Sequence, residues 1–174
     1  VVDITEGLLE PVIMASDPGC QGESVSLSII PYAGQNVQYI WRTPNGVTES
    51  ISGFNTNAIF INPLDSNIHQ GPYSIEVVLD ECTITSDTFF LNTILPPTTN
   101  PTASANTICE GGSIRLRANA TNGHRFEWAG PNDFSSNLPN PLITNITTLN
   151  NGEYIVTVTN SSGCTAVGIV LVDS

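Results

Sequence analysis

The feature that most constrains this chain is a pattern of residues that occurs twice, in the same order. Residues 20–27 read CQGESVSL and residues 109–116 read CEGGSIRL. Further shared landmarks follow each start: YIW and FEW ending at Trp41 and Trp128, PNG and PND from Pro44 and Pro131, NPL from Asn62 and Asn140, GPYSIEV and GEYIVTV from Gly71 and Gly152, and a closing cysteine at Cys82 and Cys164. An ordered repeat of this length predicts two copies of one structural unit.

A proline-rich stretch separates the two copies. Residues 96–101 read PPTTNP, and proline lacks the N–H that a central strand needs. We therefore predict a short stiff linker at 96–101 between a first domain at 10–95 and a second at 102–174. Residues 1–9 are a predicted N-terminal extension, which is either a frayed terminus or a strand able to add to a neighbour's open sheet edge.

Both copies show the two-residue periodicity of strands with one buried face. Val25, Leu27 and Ile29 alternate with serines, and Tyr73, Ile75 and Val77 with polar or smaller residues. Residues 79–82 and 160–163 have the composition of hairpin turns. Because no segment carries a helical period, the sequence predicts an all-β fold of two antiparallel sandwiches.

Charge and hydropathy limit the classes of partner. The chain has 174 residues, 16 acidic and 4 basic side chains and a formal net charge of -12. Such an acid excess argues against nucleic acid or an anionic membrane surface as partner. No apolar run approaches the length that spans a bilayer. No basic-then-apolar signal peptide opens the chain at Val1, so we expect a mature form or a fragment.

The two copies resemble immunoglobulin-like domains. Tyr73 and Tyr154, each two residues after a glycine, resemble the tyrosine corner at the start of strand F. Trp41 and Trp128 take the place of the core tryptophan of strand C. Aliphatic residues occupy the positions at which antibody domains carry the inter-sheet disulfide. The resemblance therefore implies a core that contains Leu27, Trp41, Tyr73, Ile75, Leu116, Trp128, Tyr154 and Val156.

The complete pattern over residues 10–174 is similar to the Ig-like and PKD-like repeats of secreted surface proteins of Bacteroidetes, many of them adhesins. This resemblance implies an extracellular spacer or adhesive module in a surface array. Four cysteines in a lysine-free chain also indicate an oxidising compartment.

The assumed topology places the two cysteines of one domain far apart. Cys20 precedes strand B and Cys82 follows the F–G turn, so about 30 Å is expected between them, whereas a disulfide needs Cα atoms within about 7 Å. Stacking the domains head to tail brings Cys164 near Cys20. We therefore predict an inter-domain bridge Cys20–Cys164, with Cys82 and Cys109 bonding to neighbouring copies. Bridges within each domain, or free thiols, remain alternatives.

Candidate catalytic and ligand-binding residues are few. His69 and His124 fall in predicted loops of different copies and are expected at the surface. No nucleophile elbow or zinc motif occurs, so we predict no enzyme activity, no cofactor and no metal. Calcium stays a weaker alternative because Asp17, Asp80, Glu81 and Asp133 lie in predicted turns. Phe54 and Phe134 are candidates for exposed contacts, and Arg115 and Arg117 share the outward face of one strand.

The leading hypothesis is a non-enzymatic extracellular module that acts as a stalk, an adhesin segment or a filament subunit stiffened by disulfides. Its partners would be neighbouring Ig-like domains or identical subunits placed end to end. The alternatives are a module that binds glycan or protein, and an accessory domain of a secreted hydrolase.

Overall fold

The computed structural model describes residues 9–16, 19–33, 36–49, 51–79, 82–105 and 109–173. Residues 1–8 of the predicted N-terminal extension at 1–9, Asp17 and the turn residues Asp80 and Glu81 lie outside these ranges. The chain divides into two compact units, unit 1 at Val1–Ile94 and unit 2 at Leu95–Ser174.

The described residues contain short strands and two 3₁₀ turns, and the fold is all-β, as predicted from the sequence. The strands of unit 1 are β1 Met14–Ala15, β2 Val25–Ser28, β3 Gln38–Arg42, β4 Ile51–Ser52, β5 Ala58–Ile61, β6 Gly71–Leu79, β7 Cys82–Thr85 and β8 Phe89–Leu91. Those of unit 2 are β9 Thr102–Ala103, β10 Ser113–Arg117, β11 Arg125–Gly130, β12 Phe134–Ser136, β13 Leu142–Thr144, β14 Gly152–Thr159 and β15 Thr165–Val172. The 3₁₀ turns are Pro44–Gly46 and Thr148–Asn150.

Unit 1 is a sandwich of two antiparallel sheets. One sheet has the order β1-β2-β5-β4, and the other the order β3-β6-β7, with β8 paired to the first residues of β6. Leu27 of β2 pairs with Ile59 of β5, and Trp41 of β3 pairs with Ile75 of β6. This is the ABED and CFG arrangement of a constant-type immunoglobulin domain.

Unit 2 repeats the plan with one change. Its sheets have the orders β13-β10-β9 and β12-β11-β14-β15. Ile114 of β10 pairs with Ile143 of β13, and Trp128 of β11 pairs with Val156 of β14. The strand that follows β11 here joins the sheet of β11 instead of the opposite sheet.

Each unit has its own hydrophobic core, and the repeated residues lie in both. All eight residues that we expected in the core are buried: Leu27, Trp41, Tyr73 and Ile75 in unit 1, and Leu116, Trp128, Tyr154 and Val156 in unit 2. The aliphatic residues at the positions of the antibody cysteines are completely buried. Apolar packing thus occupies the place of a central inter-sheet disulfide.

The tyrosine corner is present in both units. The hydroxyl of Tyr73 donates to the carbonyl of His69 at 2.9 Å, and that of Tyr154 donates to the carbonyl of Asn150 at 2.9 Å. Burial raises the pKa of Tyr73 to about 12 and also raises the pKa of Tyr154. The cause is that a buried phenolate would lose its hydration.

One contact in each unit explains why both the proline turn and the glycine before the corner tyrosine are repeated. Asn45 and Asn132 have positive φ angles of 51° and 55° in the turns that begin at Pro44 and Pro131. The glycine two residues before each corner tyrosine also has a positive φ, 141° at Gly71 and 138° at Gly152. A Cβ on Gly71 would lie 3.0 Å from the ring of Pro44, and one on Gly152 would lie 2.9 Å from that of Pro131. Glycine is therefore required where the proline turn packs against the corner.

The proline-rich segment belongs to unit 2. Thr98 and Thr121 exchange backbone hydrogen bonds, and the Thr99 hydroxyl donates to the carbonyl of Ala118. Pro97 and Pro101 are buried. The structure therefore includes residues 96–101 in the second compact unit, where we had predicted a separate linker.

One repeated landmark was matched incorrectly in the sequence. The Gly22 N–H donates to the Leu64 carbonyl, and the Gly111 N–H donates to that of Ile146. Ile146 is therefore the counterpart of Leu64, and both are buried, whereas Leu142 is exposed. The NPL match was misleading because the chain before β13 differs in length from that before β5.

Candidate functional site

The four cysteines occupy equivalent places in the two units but differ in chemical state. The backbone N–H of Glu23 donates to the carbonyl of Cys20 at 3.2 Å, and the N–H of Gly112 donates to that of Cys109 at 3.1 Å. Cys20 is nevertheless buried and disulfide-bonded, whereas Cys109 is exposed and free. The same turn therefore carries a bonded cysteine in unit 1 and a free thiol in unit 2.

The closing cysteines show the opposite assignment. Cys82 begins β7 and is exposed and free. Cys164 is buried and disulfide-bonded, directly before β15. Because Cys82 and Cys109 are free, neither Cys20–Cys82 nor Cys109–Cys164 is formed.

Backbone hydrogen bonds fix both bonded cysteines. Cys20 forms an isolated parallel bridge with Ile94, whose N–H and carbonyl bond to the residues on either side of Cys20. At Cys164, the N–H donates to the side-chain oxygen of Asn160 at 3.0 Å, and its carbonyl accepts from the Asn160 N–H at 2.9 Å. These bonds order the predicted hairpin turn at 160–163, and Cys164 follows directly at its end.

His69 is not at the surface, and that prediction was wrong. The ring is fully buried, and its Nδ1 accepts the backbone N–H of Asp65 at 2.9 Å. A backbone N–H can only donate, so Nδ1 is unprotonated and Nε2 carries the proton. Nε2 then donates to the carbonyl of Glu49 at 2.8 Å. Both nitrogens are thus used in holding the corner of unit 1, while His124 is exposed, as expected.

The two phenylalanines predicted to make exposed contacts are partly buried. Phe54 packs against the core of unit 1. Phe134 packs against the core of unit 2, where its ring meets the ring of Tyr154 edge-on with centroids 5.3 Å apart. The loop positions in the sequence concealed this because neither residue lies in an alternating strand pattern.

Two surface pockets lie within single units. In unit 2, a pocket of ≈ 290 Å³ lies beside the end of β10, with Arg117, Asn119, Phe126, Pro139 and Asn140 among its lining residues. We call it the β10 pocket. In unit 1, a pocket of ≈ 220 Å³ lies between the segment before β1 and that before β8, and it includes Glu10 and Asp87. The sequence pattern indicated that the arginines of β10 share one face, but it did not predict either pocket.

The described residues form neither a metal site nor a membrane-spanning helix. No three His, Cys, Asp or Glu side chains come together there in a way that would hold a metal ion. Asp133, one of the carboxylates considered for calcium, lies in the turn after Pro131. The same residues include no helix with the length and hydropathy needed to cross a bilayer.

Comparison with known proteins identifies no family. No protein-family model matches the chain, and no curated protein is significantly similar to it. Solved structures that resemble it contain immunoglobulin domains. The amphioxus IgVJ-C2 molecule is 20% identical with a TM-score of 0.40, and the match covers 88% of this chain and 98% of that one. Murine CEACAM1b is 16% identical with a TM-score of 0.44, over 94% of this chain and 99% of that one.

A structure of three N-terminal domains of the highly immunogenic outer capsid protein of bacteriophage RB49 is also similar. It is 15% identical with a TM-score of 0.48, and the match covers 95% of this chain and 59% of that one. At these identities the likeness concerns the fold. Our assignment of two immunoglobulin-like sandwiches rests on the strand pairing and on the two tyrosine corners.

Proposed function

We propose that this chain is a non-enzymatic extracellular structural or adhesive module, a stalk segment or filament subunit stiffened by disulfides. The observation that carries the proposal is the alternation of cysteine states, with one buried bonded cysteine and one exposed free thiol in each unit. The role agrees with that of the Bacteroidetes surface repeats that the sequence resembles. Stable disulfides are typical of oxidising compartments outside the cytoplasm.

The first part of the proposal is a bond between Cys20 and Cys164. Support comes from their shared bonded state and from the free state of the other two cysteines. Such a bond closes a long loop of the chain, and loop closure of this kind stabilises the folded protein by about 2–5 kcal/mol. It would also limit how far the chain extends under tension.

Proteolysis without reduction tests this pairing. We expect a linked pair of peptides that contain Cys20 and Cys164, and peptides with Cys82 and Cys109 that react with a thiol reagent before denaturation. A linked Cys20–Cys82 or Cys109–Cys164 pair would refute this part of the proposal.

The second part is a bond between Cys82 of one copy and Cys109 of the next. Both thiols are exposed. Cys82 is the counterpart of the bonded Cys164, and Cys109 is the counterpart of the bonded Cys20. Among the described residues, no other cysteine is free to pair with Cys82 or Cys109. An oxidant such as glutathione disulfide would take two electrons from the two thiols, whose protons appear on the two glutathione molecules released.

Mixing two single variants provides the test. Cys82→Ser leaves only Cys109 free, and Cys109→Ser leaves only Cys82 free. With glutathione disulfide we expect the mixture to form a disulfide-linked heterodimer on a non-reducing gel, while each variant alone stays mainly monomeric and the unaltered chain forms longer oligomers. Equal dimer formation by either variant alone, or none in the mixture, would contradict end-to-end pairing.

A further inference from the structure

The β10 pocket contains an electrostatic anomaly. In the described residues the ion pairs are Arg42 with Glu76 at 2.9 Å and Arg125 with Glu127 at 3.6 Å. Arg115 donates to the carbonyl of Asn140 at 3.2 Å. Neither Arg115 nor Arg117 has a carboxylate partner within those residues. Two of the four arginines in a chain of net charge -12 therefore lie on one strand without an ion-pair partner among the described residues.

The fold itself does not require these arginines. Leu116 of β10 corresponds to Leu27 of β2, so Arg115 and Arg117 correspond to Ser26 and Ser28. The serines occupy the same outward positions in a strand that pairs in the same way. Because unit 1 builds this strand with serine, the arginines indicate a role of unit 2 other than folding.

The rest of the pocket supplies neutral hydrogen-bonding groups. The side-chain N–H₂ of Asn119 donates to the carbonyl of Asn100 and to the hydroxyl of Thr102, each at 3.0 Å. These two bonds fix the amide, and within the described chain its oxygen accepts no hydrogen bond. The side-chain amide of Asn140 makes no hydrogen bond to the described residues. Together the two amides offer donors and acceptors, which is what a hydroxyl group requires.

The pocket also has an apolar side. Phe126 is partly buried and packs against the core of unit 2, so its ring is held in place. Pro139 lies beside it in the lining. A fixed aromatic ring offers a flat face to the C–H groups of a ligand. A volume of ≈ 290 Å³ is near the lower end for small-ligand sites, so one ring fits better than a chain.

We propose that the β10 pocket binds a sugar that carries a carboxylate, of the hexuronic acid type. The guanidinium of Arg117 pairs with the carboxylate, since its planar donors match two carboxylate oxygens. The amides of Asn119 and Asn140 bind hydroxyl groups, and the apolar face of the sugar packs on Phe126. This inference is independent of the disulfide scheme, so either can fail without the other.

Titration of the full-length, isotope-labelled chain with glucuronic acid tests the proposal by NMR. We expect amide shifts to concentrate at residues 117–120, 126 and 139–140. Glucose, which lacks the carboxylate, and acetate, which lacks the ring, should each bind at least about tenfold more weakly, because each loses one set of contacts.

Arg117→Ala should weaken glucuronic acid binding by about tenfold or more. Arg117→Lys keeps the positive charge but lacks the planar paired donors of the guanidinium, so its loss of affinity should be intermediate. The matched control is Arg125→Ala, which removes an exposed arginine of the same unit outside the pocket and should leave binding unchanged. Spectra of the free variants verify folding. The proposal is overturned if no shifts occur, if glucose or acetate binds equally well, or if the Arg125 variant loses binding as much as the Arg117 variant.

Discussion

The two units are built on one plan but differ in the segment after the third strand. In unit 2 the tight turn that begins at Pro131 returns the chain at once, so that β12 pairs with β11. In unit 1 the equivalent turn at Pro44 is followed by an excursion to the other sheet, where β4 pairs with β5. In both turns the two residues after the proline have positive φ angles, so we infer that the residues after the turn decide which sheet receives the strand.

The buried side chain at the corner explains part of this difference. His69 reaches from the corner to the carbonyl of Glu49, in the crossing segment of unit 1. Its counterpart Asn150 is shorter and bonds locally, accepting the Thr147 N–H at 2.9 Å. The histidine thus links the corner to the segment that crosses to the other sheet, whereas the shorter asparagine bonds only within the corner.

The last strands differ as well. In unit 2, β15 pairs with β14 in one continuous register from Gly152–Val172 to Thr159–Thr165. In unit 1, β7 and β8 pair with β6 in registers that differ by one residue. Ser86 lies at the break, and its buried hydroxyl accepts the N–H of Ile75 at 3.0 Å. An extra residue of this kind is a β-bulge, which bends the strand.

The largest effect is expected when equivalent core side chains of the two units are shortened. Leu27→Ala and Leu116→Ala remove equivalent, fully buried side chains, so each should lower the unfolding free energy of its own unit by about 2–5 kcal/mol. Hydrogen exchange of the full chain, read separately for the two units, measures both. Leu171→Ala, at an exposed position, is the control and should cost less than about 0.5 kcal/mol. Equal losses in both units from one variant would show that the cores are not independent.

His69→Asn tests whether the histidine holds the excursion of unit 1. Asparagine is the residue that unit 2 carries at the equivalent position. Its side chain is too short to reach Glu49 while it also bonds within the corner. We expect a loss of about 1–3 kcal/mol in unit 1, because the fully buried ring is removed together with its hydrogen bond to the Glu49 carbonyl, with faster exchange in residues 47–52. The reciprocal control is Asn150→Ala, whose exchange should change only near 147–151. Unaltered hydrogen exchange at residues 47–52 in His69→Asn would show that the histidine does not stabilise the crossing segment.

Alkaline titration sharpens the comparison of the two tyrosine corners. The folded state raises the pKa of Tyr73 from 10.0 to about 12, so it holds the phenolic proton more tightly than the unfolded chain does. Stability from this source is fully present below about pH 10 and is lost as the pH rises toward 12. Tyr73→Phe should flatten that decline in unit 1. At neutral pH it should cost about 0.5–1.5 kcal/mol, since the corner hydrogen bond is absent.

Thermal unfolding monitored between pH 9 and 12, with Tyr154→Phe as the matched variant in unit 2, checks this expectation. An alkaline decline of unit 1 that is as steep in Tyr73→Phe as in the unaltered chain would assign the decline to other groups.

Much of the fold was accessible from the sequence because its signals are local and repeated. Alternation of apolar residues identified the faces of β2, β6, β10 and β14, and a glycine two residues before Tyr73 and Tyr154 identified both corners. The positions of the cysteines relative to these strands then predicted that the two in one unit would not pair. The free state of Cys82 and Cys109 agrees with that reasoning.

Other features depend on residues far apart in the chain. Local signals predicted the two sandwiches, their cores and their corners, because two-residue periodicity and turn chemistry act between near neighbours. The same signals could not predict the burial of His69, the sheet that β4 joins, the packing of residues 96–101 or the β10 pocket. Each of these arises when distant segments meet, and a polar side chain is buried or exposed according to the partners that the fold brings to it.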